Sequence, residues 1–123
     1  MRFLDMIFYW AKARPARPAI IQPDTIITYK ELAQAIMSVS DHIVRRNLDP
    51  TEPVAVSIDH AAKRLITCFA LLRCGFAVAS IHRGLLAHMQ LFGIKNLIYD
   101  QMVNGVLCCM VLMEDISIMN AFL

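Results

Sequence analysis

The chain has 123 residues, 58% of them hydrophobic and 18% charged, with twelve Lys and Arg against ten Asp and Glu for a net charge of +2. Arg2, Lys12, Arg14 and Arg17 group early but read as solvated charges on a helix and its exit loop, so a nucleic-acid partner, which needs a dense basic stripe, is excluded. The length suits one domain, 1–123, and a mean hydropathy of +0.53 is high enough that some surface is expected to be buried against something else.

Residues 2–13 read as a helix, with Phe3, Ile7 and Trp10 or Ala11 recurring at helical spacing, and Arg14-Pro15 ends it. The same stretch could pass for a secretion signal ending in Ala11-Lys12-Ala13, but Asp5 interrupts its apolar part and Arg14-Pro15 follows at once. A cytoplasmic location is expected. Ala19-Ile20-Ile21 and Thr25-Ile26-Ile27 are short β-branched runs around Pro23-Asp24, which reads as the turn of a hairpin.

Thr28 and Glu31 have the spacing of a capping box, in which each side chain satisfies a free backbone N–H at a helix start. The helix they open carries Leu32, Ile36, Val39 and Ile43 on one face and Lys30, Gln34, Ser38, Asp41 and Arg45 on the other, and it ends near Asn47. Pro53 to Ile58 reads as a buried strand, and Asp59 as the N-cap of a helix running to about Arg73, with His60 exposed in its first turn. Leu65 to Leu72 are apolar apart from Thr67, so this helix should be buried on more than one side. Cys74-Gly75 closes it. A strand over Phe76 to Ile81, a short helix from about Leu85 to Phe92, a strand over Asn96 to Tyr99 and an apolar run over Val106 to Met113 follow. That run stops at Glu114-Asp115, well short of the roughly 18 to 20 residues a membrane span needs. Strand and helix alternate over 53–99. The expected fold is therefore α/β, three-layered, with a mostly parallel sheet built from βαβ units, preceded by a helix and a hairpin.

Chemistry-bearing patterns are sparse. A phosphate cradle needs clustered glycines, and Gly75, Gly84, Gly93 and Gly105 are widely separated. Cys68, Cys74, Cys108 and Cys109 show no metal-binding spacing and sit in apolar stretches, as reduced intracellular cysteines do. Ser57, Ser80, Cys68 and Cys74 have no base placed beside them in sequence and read as core or edge residues. Asp59 and Asp100 each follow a strand without an identifiable partner. His82, Arg83 and His88 form the one polar cluster after a parallel strand, where open α/β sheets bind ligands, and are the candidate ligand or partner surface. As a solvated loop they would have no such role.

Four segments, in register over roughly residues 3–100, resemble the AMP-binding, adenylate-forming enzymes, the acyl-CoA synthetase and AMP-dependent ligase family. Arg17-Pro18-Ala19-Ile20-Ile21 resembles the opening strand of that family. Thr28-Tyr29-Lys30-Glu31-Leu32 resembles its T-Y-x-E-L helix start, and Pro53-Val54-Ala55-Val56 its D-x-V-A-V strand. Ala70 to Val78 looks like its helix, glycine and strand. After the glycine the family continues with N-P-R-L, where this chain has Ser80 to Leu85 and only Leu85 agrees.

The resemblance implies the N-terminal subdomain of an enzyme that joins a carboxylate to AMP from ATP and Mg and passes the acyl group to coenzyme A or a carrier thiol. It also implies that the family's phosphate loop, ribose-binding acid and catalytic lysine fall outside these residues. No catalytic, cofactor-binding or metal-binding residue is then expected here, and the fragment should be structural and inactive alone. Its expected partner is the remainder of the ligase, or a second copy, through an exposed apolar face. The alternative expectation is a free-standing interaction or dimerisation module that uses the Val106–Leu123 tail as an intermolecular strand or helix. A small-ligand binder at His82, Arg83 and His88 is the third.

Overall fold

The computed structural model describes residues 2–103 and 106–111. Helix α1 (Arg2–Ala13) leads into a hairpin of β1 (Pro18–Gln22) and β2 (Thr25–Thr28) and then helix α2 (Tyr29–Arg45). Strand β3 (Val54–Ser57), helix α3 (Ala61–Arg73) and strand β4 (Val78–Ser80) follow. A 3-10 helix (Arg83–Phe92) and strands β5 (Asn96–Val103) and β6 (Val106–Val111) complete the described chain. The α/β expectation holds: β3 pairs in parallel with both β4 and β5, and β6 adds an antiparallel edge in the order β4-β3-β5-β6.

The head of α2 shows why the chain folds as it does locally. A helix start leaves backbone N–H groups without intrahelical acceptors. Here the Tyr29 N–H donates to Arg17 O (2.9 Å), the Lys30 N–H to Pro15 O (3.2 Å) and the Glu31 N–H to Thr28 Oγ1 (3.2 Å). Glu31 Oε1 in turn accepts from the Thr28 N–H at 3.1 Å, closing the capping box. The exit loop of α1 is thereby tied to the start of α2. At its other end α2 stops where Asn47 turns left-handed, with φ of 56°.

Helix α3 closes with the expected glycine. Gly75 has φ of 88°, its N–H donates to Leu72 O, and the Phe76 N–H reaches back to Leu71 O, both at 3.0 Å. This paired arrangement is a Schellman motif, and Phe76 and Leu71 are both in the core, as its usual apolar contact requires. The stop consumes Phe76, so β4 is three residues long instead of the six expected from Phe76 to Ile81. Flanking bonds from Val54 N–H to Ala77 O and from Ile81 N–H to Val56 O prolong its ladder with β3.

The sheet alternates its side chains between two cores, as period-2 geometry dictates. Val54, Val56 and Ile98 face the main core with Ile36 and Ile43 of α2 and Ile66, Ala70 and Leu71 of α3. Burying each of the larger aliphatic side chains contributes on the order of 1.5–3 kcal/mol. Helix α1 packs on α2, and α2 on α3, so the three helices lie on this side. Ala55, Leu97 and Tyr99 face the other way and meet Leu86 of the 3-10 helix and Ile94. Two buried hydroxyls are satisfied within their own helices, Ser40 Oγ by Ile36 O (2.7 Å) and Thr67 Oγ1 by Lys63 O (2.8 Å).

Two expectations need correction. His60, not Asp59, is the N-cap of α3, and it is half-buried where exposure was expected: its Nδ1 accepts the Lys63 N–H at 3.3 Å. Asp100 lies inside β5, its backbone opposite Cys109, because pairing with β6 carries β5 on to Val103. Residues 106–111, part of the tail that the alternative reading offers to another chain, pair with β5 in this one. Met113 and the rest of the tail lie outside the described residues.

Candidate functional site

Parallel strands bring their carboxyl ends to one edge, so the residues after β3 and β4 become neighbours there. Arg83, which opens the 3-10 helix, places its guanidinium 3.9 Å from the Asp59 carboxylate, joining the two loops; both side chains are exposed, and such a pair contributes little to stability. Arg64 of α3 donates to Ile58 O at 3.0 Å, holding the end of β3 against the helix. His82 is exposed, and its Nδ1 accepts the Gly84 N–H at 3.0 Å, which fixes that nitrogen as an acceptor. His88 is exposed further along the 3-10 helix. Of the expected cluster of His82, Arg83 and His88, Arg83 is brought to Asp59 across the two loops, while His60 and Arg64 serve the start of α3 beside the end of β3. Sequence spacing missed Arg64, whose bond runs back across the helix start, and misread His60 because aspartate is the commoner cap.

Of the nucleophile candidates, Ser80 is exposed at the end of β4, and the other three are built into packing. Ser57 is buried, and Cys74 Sγ lies 3.9 Å from Ser40 O, bridging α3 and α2. Burial pushes the Cys68 thiol up from its ordinary range, with the Arg64 charge acting in the opposite sense. Burial likewise raises the Tyr99 phenol. Among the described residues no group of three or more His, Cys, Asp or Glu is placed to hold a metal ion. No helix among them is long and apolar enough to cross a membrane.

A second surface is apolar. Phe3, Met6, Ile7 and Trp10 of α1, Tyr29, and Leu65 and Phe69 of α3 line an open groove of about 320 Å³ that the hairpin closes with Ala19 and Ile20. Phe3 and Phe69 pack with ring centroids 5.3 Å apart and Trp10 and Tyr29 at 6.4 Å, both tilted. Arg73, at the end of α3, sits 5.8 Å over the Phe8 ring on the other flank of α1. The groove is lined mainly by apolar side chains.

The arrangement of capped helix, hairpin and parallel βαβ sheet defines a scaffold found within the N-terminal subdomains of adenylating enzymes. The N-terminal subdomain of Klebsiella oxytoca NpsA, solved in complex with 3-hydroxyanthranilyl-AMSN, superposes with a TM-score of 0.68 at 24% identity, over 79% of this chain and 26% of that one. Bacillus subtilis o-succinylbenzoate CoA synthetase (MenE), solved with the acyl-adenylate OSB-AMP, gives 0.66 at 21% identity over 77% of this chain and 26% of its own. In sequence, phosphinothricin tripeptide synthetase PhsC of Streptomyces viridochromogenes is 32% identical over 65 residues, 53% of this chain and 6% of PhsC. The profile of the AMP-binding enzyme family matches residues 7–96, and the chain belongs to that family. It spans only a small part of these relatives.

Proposed function

We propose that residues 1–123 act as a single domain, the scaffold at the N-terminal end of an adenylating unit, and that they activate no carboxylate by themselves. The observation that carries this reading is the agreement in register between the family match over 7–96 and the structural joints of the chain: the hairpin, the Thr28–Glu31 box and the Gly75 stop. Each joint has a complete explanation in turn or cap chemistry, which leaves none of them with a catalytic duty. In the whole enzyme, ATP with Mg would convert a carboxylate to its acyl-adenylate with release of pyrophosphate, and coenzyme A or a carrier thiol would take the acyl group. The cytoplasm suits that chemistry, and Cys68 and Cys74, free of disulfides, are compatible with it.

The sheet indicates which side meets the rest of the ligase. Parallel sheets are normally covered on both faces. One face here carries the helices, while the other is covered by the 3-10 helix, which leaves Leu85 50%, Leu91 79% and Phe92 62% exposed. In this reading the remainder of the enzyme docks there, with His82, Arg83 and His88 at its border. ATP–pyrophosphate exchange with the purified 123-residue chain, across a panel of acyl, aryl and amino acids, tests the inactivity. The expected result is exchange at the buffer background; exchange above it would overturn the scaffold reading.

A further inference from the structure

We propose that the outer face of α1 is an antiparallel self-association seam, whose occupant is α1 of a second copy of this chain. A helix buries one stripe against its own domain, and α1 does so with Leu4 and Ile7. Its opposite stripe is also apolar: Met6 is 60% and Tyr9 63% exposed, with Ala13 exposed on the same line. The steps from Met6 to Tyr9 to Ala13 are three and four residues, the alternation that keeps a contact line facing a partner helix. This line lies beside the aromatic groove, so a partner helix laid along it also covers part of that apolar surface.

The flanks of the line say what the partner is. Asp5 and Lys12 are both exposed and lie seven residues apart, two helical turns, on the same flank. Phe3 (55% exposed) and Trp10 have the same separation on the opposite flank. A two-fold axis perpendicular to the helix keeps each flank on its own side and reverses the order along it. Asp5 of one copy then faces Lys12 of the other, twice over, while the flank that carries Phe3 and Trp10 runs beside the same flank of the partner helix. A parallel pairing would instead set Asp5 beside Asp5 and Lys12 beside Lys12. Complementarity therefore selects a second copy in the antiparallel sense, and the opposed helix dipoles favour that sense too. The seam is separate from the sheet face assigned to the rest of the ligase and does not depend on that assignment.

Sedimentation equilibrium of the full 123-residue chain, with the variants Met6→Glu, Asp5→Lys, Lys12→Asp and the double exchange Asp5→Lys/Lys12→Asp, tests the seam. Each altered side chain is exposed in one copy, and circular dichroism verifies that the fold is retained. The expected result is a dimer that Met6→Glu weakens by at least about tenfold and each single charge change by several-fold, with the double exchange restoring association toward that of the parent chain. A chain that stays monomeric at about 100 μM overturns the proposal and leaves the stripe to another occupant, such as a neighbouring part of the ligase. A dimer indifferent to Met6→Glu overturns it as well. So does one in which the double exchange is no better than the single changes, since the antiparallel register is then wrong.

Discussion

Thr28 and Glu31 each serve the start of α2 twice. The Thr28 hydroxyl accepts the Glu31 N–H, and Glu31 Oε1 accepts both the Thr28 N–H and its hydroxyl, the latter at 2.9 Å. Thr28→Ala removes one acceptor and one donor at once and is expected to lower stability by about 1 kcal/mol, measured by urea denaturation. The backbone N–H of Thr28, and then its hydroxyl, hold the Glu31 carboxyl below its ordinary range. A carboxylate depressed in the folded state contributes its stabilisation in full above the unfolded-state pKa and loses it as pH falls toward the folded one. Stability should therefore decline as pH drops below about 4.3, the ordinary value for glutamate, and Glu31→Gln should flatten that decline. Asp49, held low by the Thr51 N–H and hydroxyl, contributes in the same direction, so the slope in Glu31→Gln is reduced and not abolished. Denaturant midpoints between about pH 3 and 7 measure both slopes.

At the scale of elements, what could be read in advance was whatever has a local cause. The capping box, the Pro23-Asp24 turn and the Cys74-Gly75 stop are all settled within a few residues, and α1, the hairpin, α2 and the end of α3 lie where those signals place them. The departures arise from long-range or competing effects. Sheet pairing with β6 lengthened β5 past Tyr99, which no local signal announces. The Schellman stop took Phe76 out of β4, and the start of α3 chose His60 over Asp59, whose carboxylate faces Arg83. The candidate site was legible only in part for the same reason: His82, Arg83 and His88 lie close together in sequence, but Asp59 meets Arg83 only through the parallel crossover. Gly75 offers a direct measurement of how much one such signal matters. A Cβ there meets nothing within 4 Å, so Gly75→Ala tests backbone conformation alone. At φ of 88° it should cost about 1–2 kcal/mol, read from the shift in denaturant midpoint at unchanged slope.

At the scale of the whole molecule, the described residues are distributed unevenly across the sheet. Among the described residues, three helices and the hairpin stack on one side around Ile36, Leu71 and Val56, and a 3-10 helix lies on the other. The high mean hydropathy of the chain is therefore only partly spent on its own core, and the surplus includes Leu91 and Phe92, exposed on that 3-10 helix. Side chains this exposed contribute little to the fold of the isolated chain, since replacing them removes little buried area. Leu91→Gln with Phe92→Ser is accordingly expected to leave the unfolding free energy within about 0.5 kcal/mol of the parent. The same pair should lower the fluorescence of a dye that binds apolar surface and raise solubility. Leu86→Gln makes the contrast, because Leu86 is 3% exposed and packs beneath the same segment against Ala55 and Leu97; it should lose about 2 kcal/mol or more. If the Leu91 and Phe92 changes proved as costly as that at Leu86, this face would already be closed by the chain itself. The sheet would then have no bare side left for the remainder of a ligase to cover.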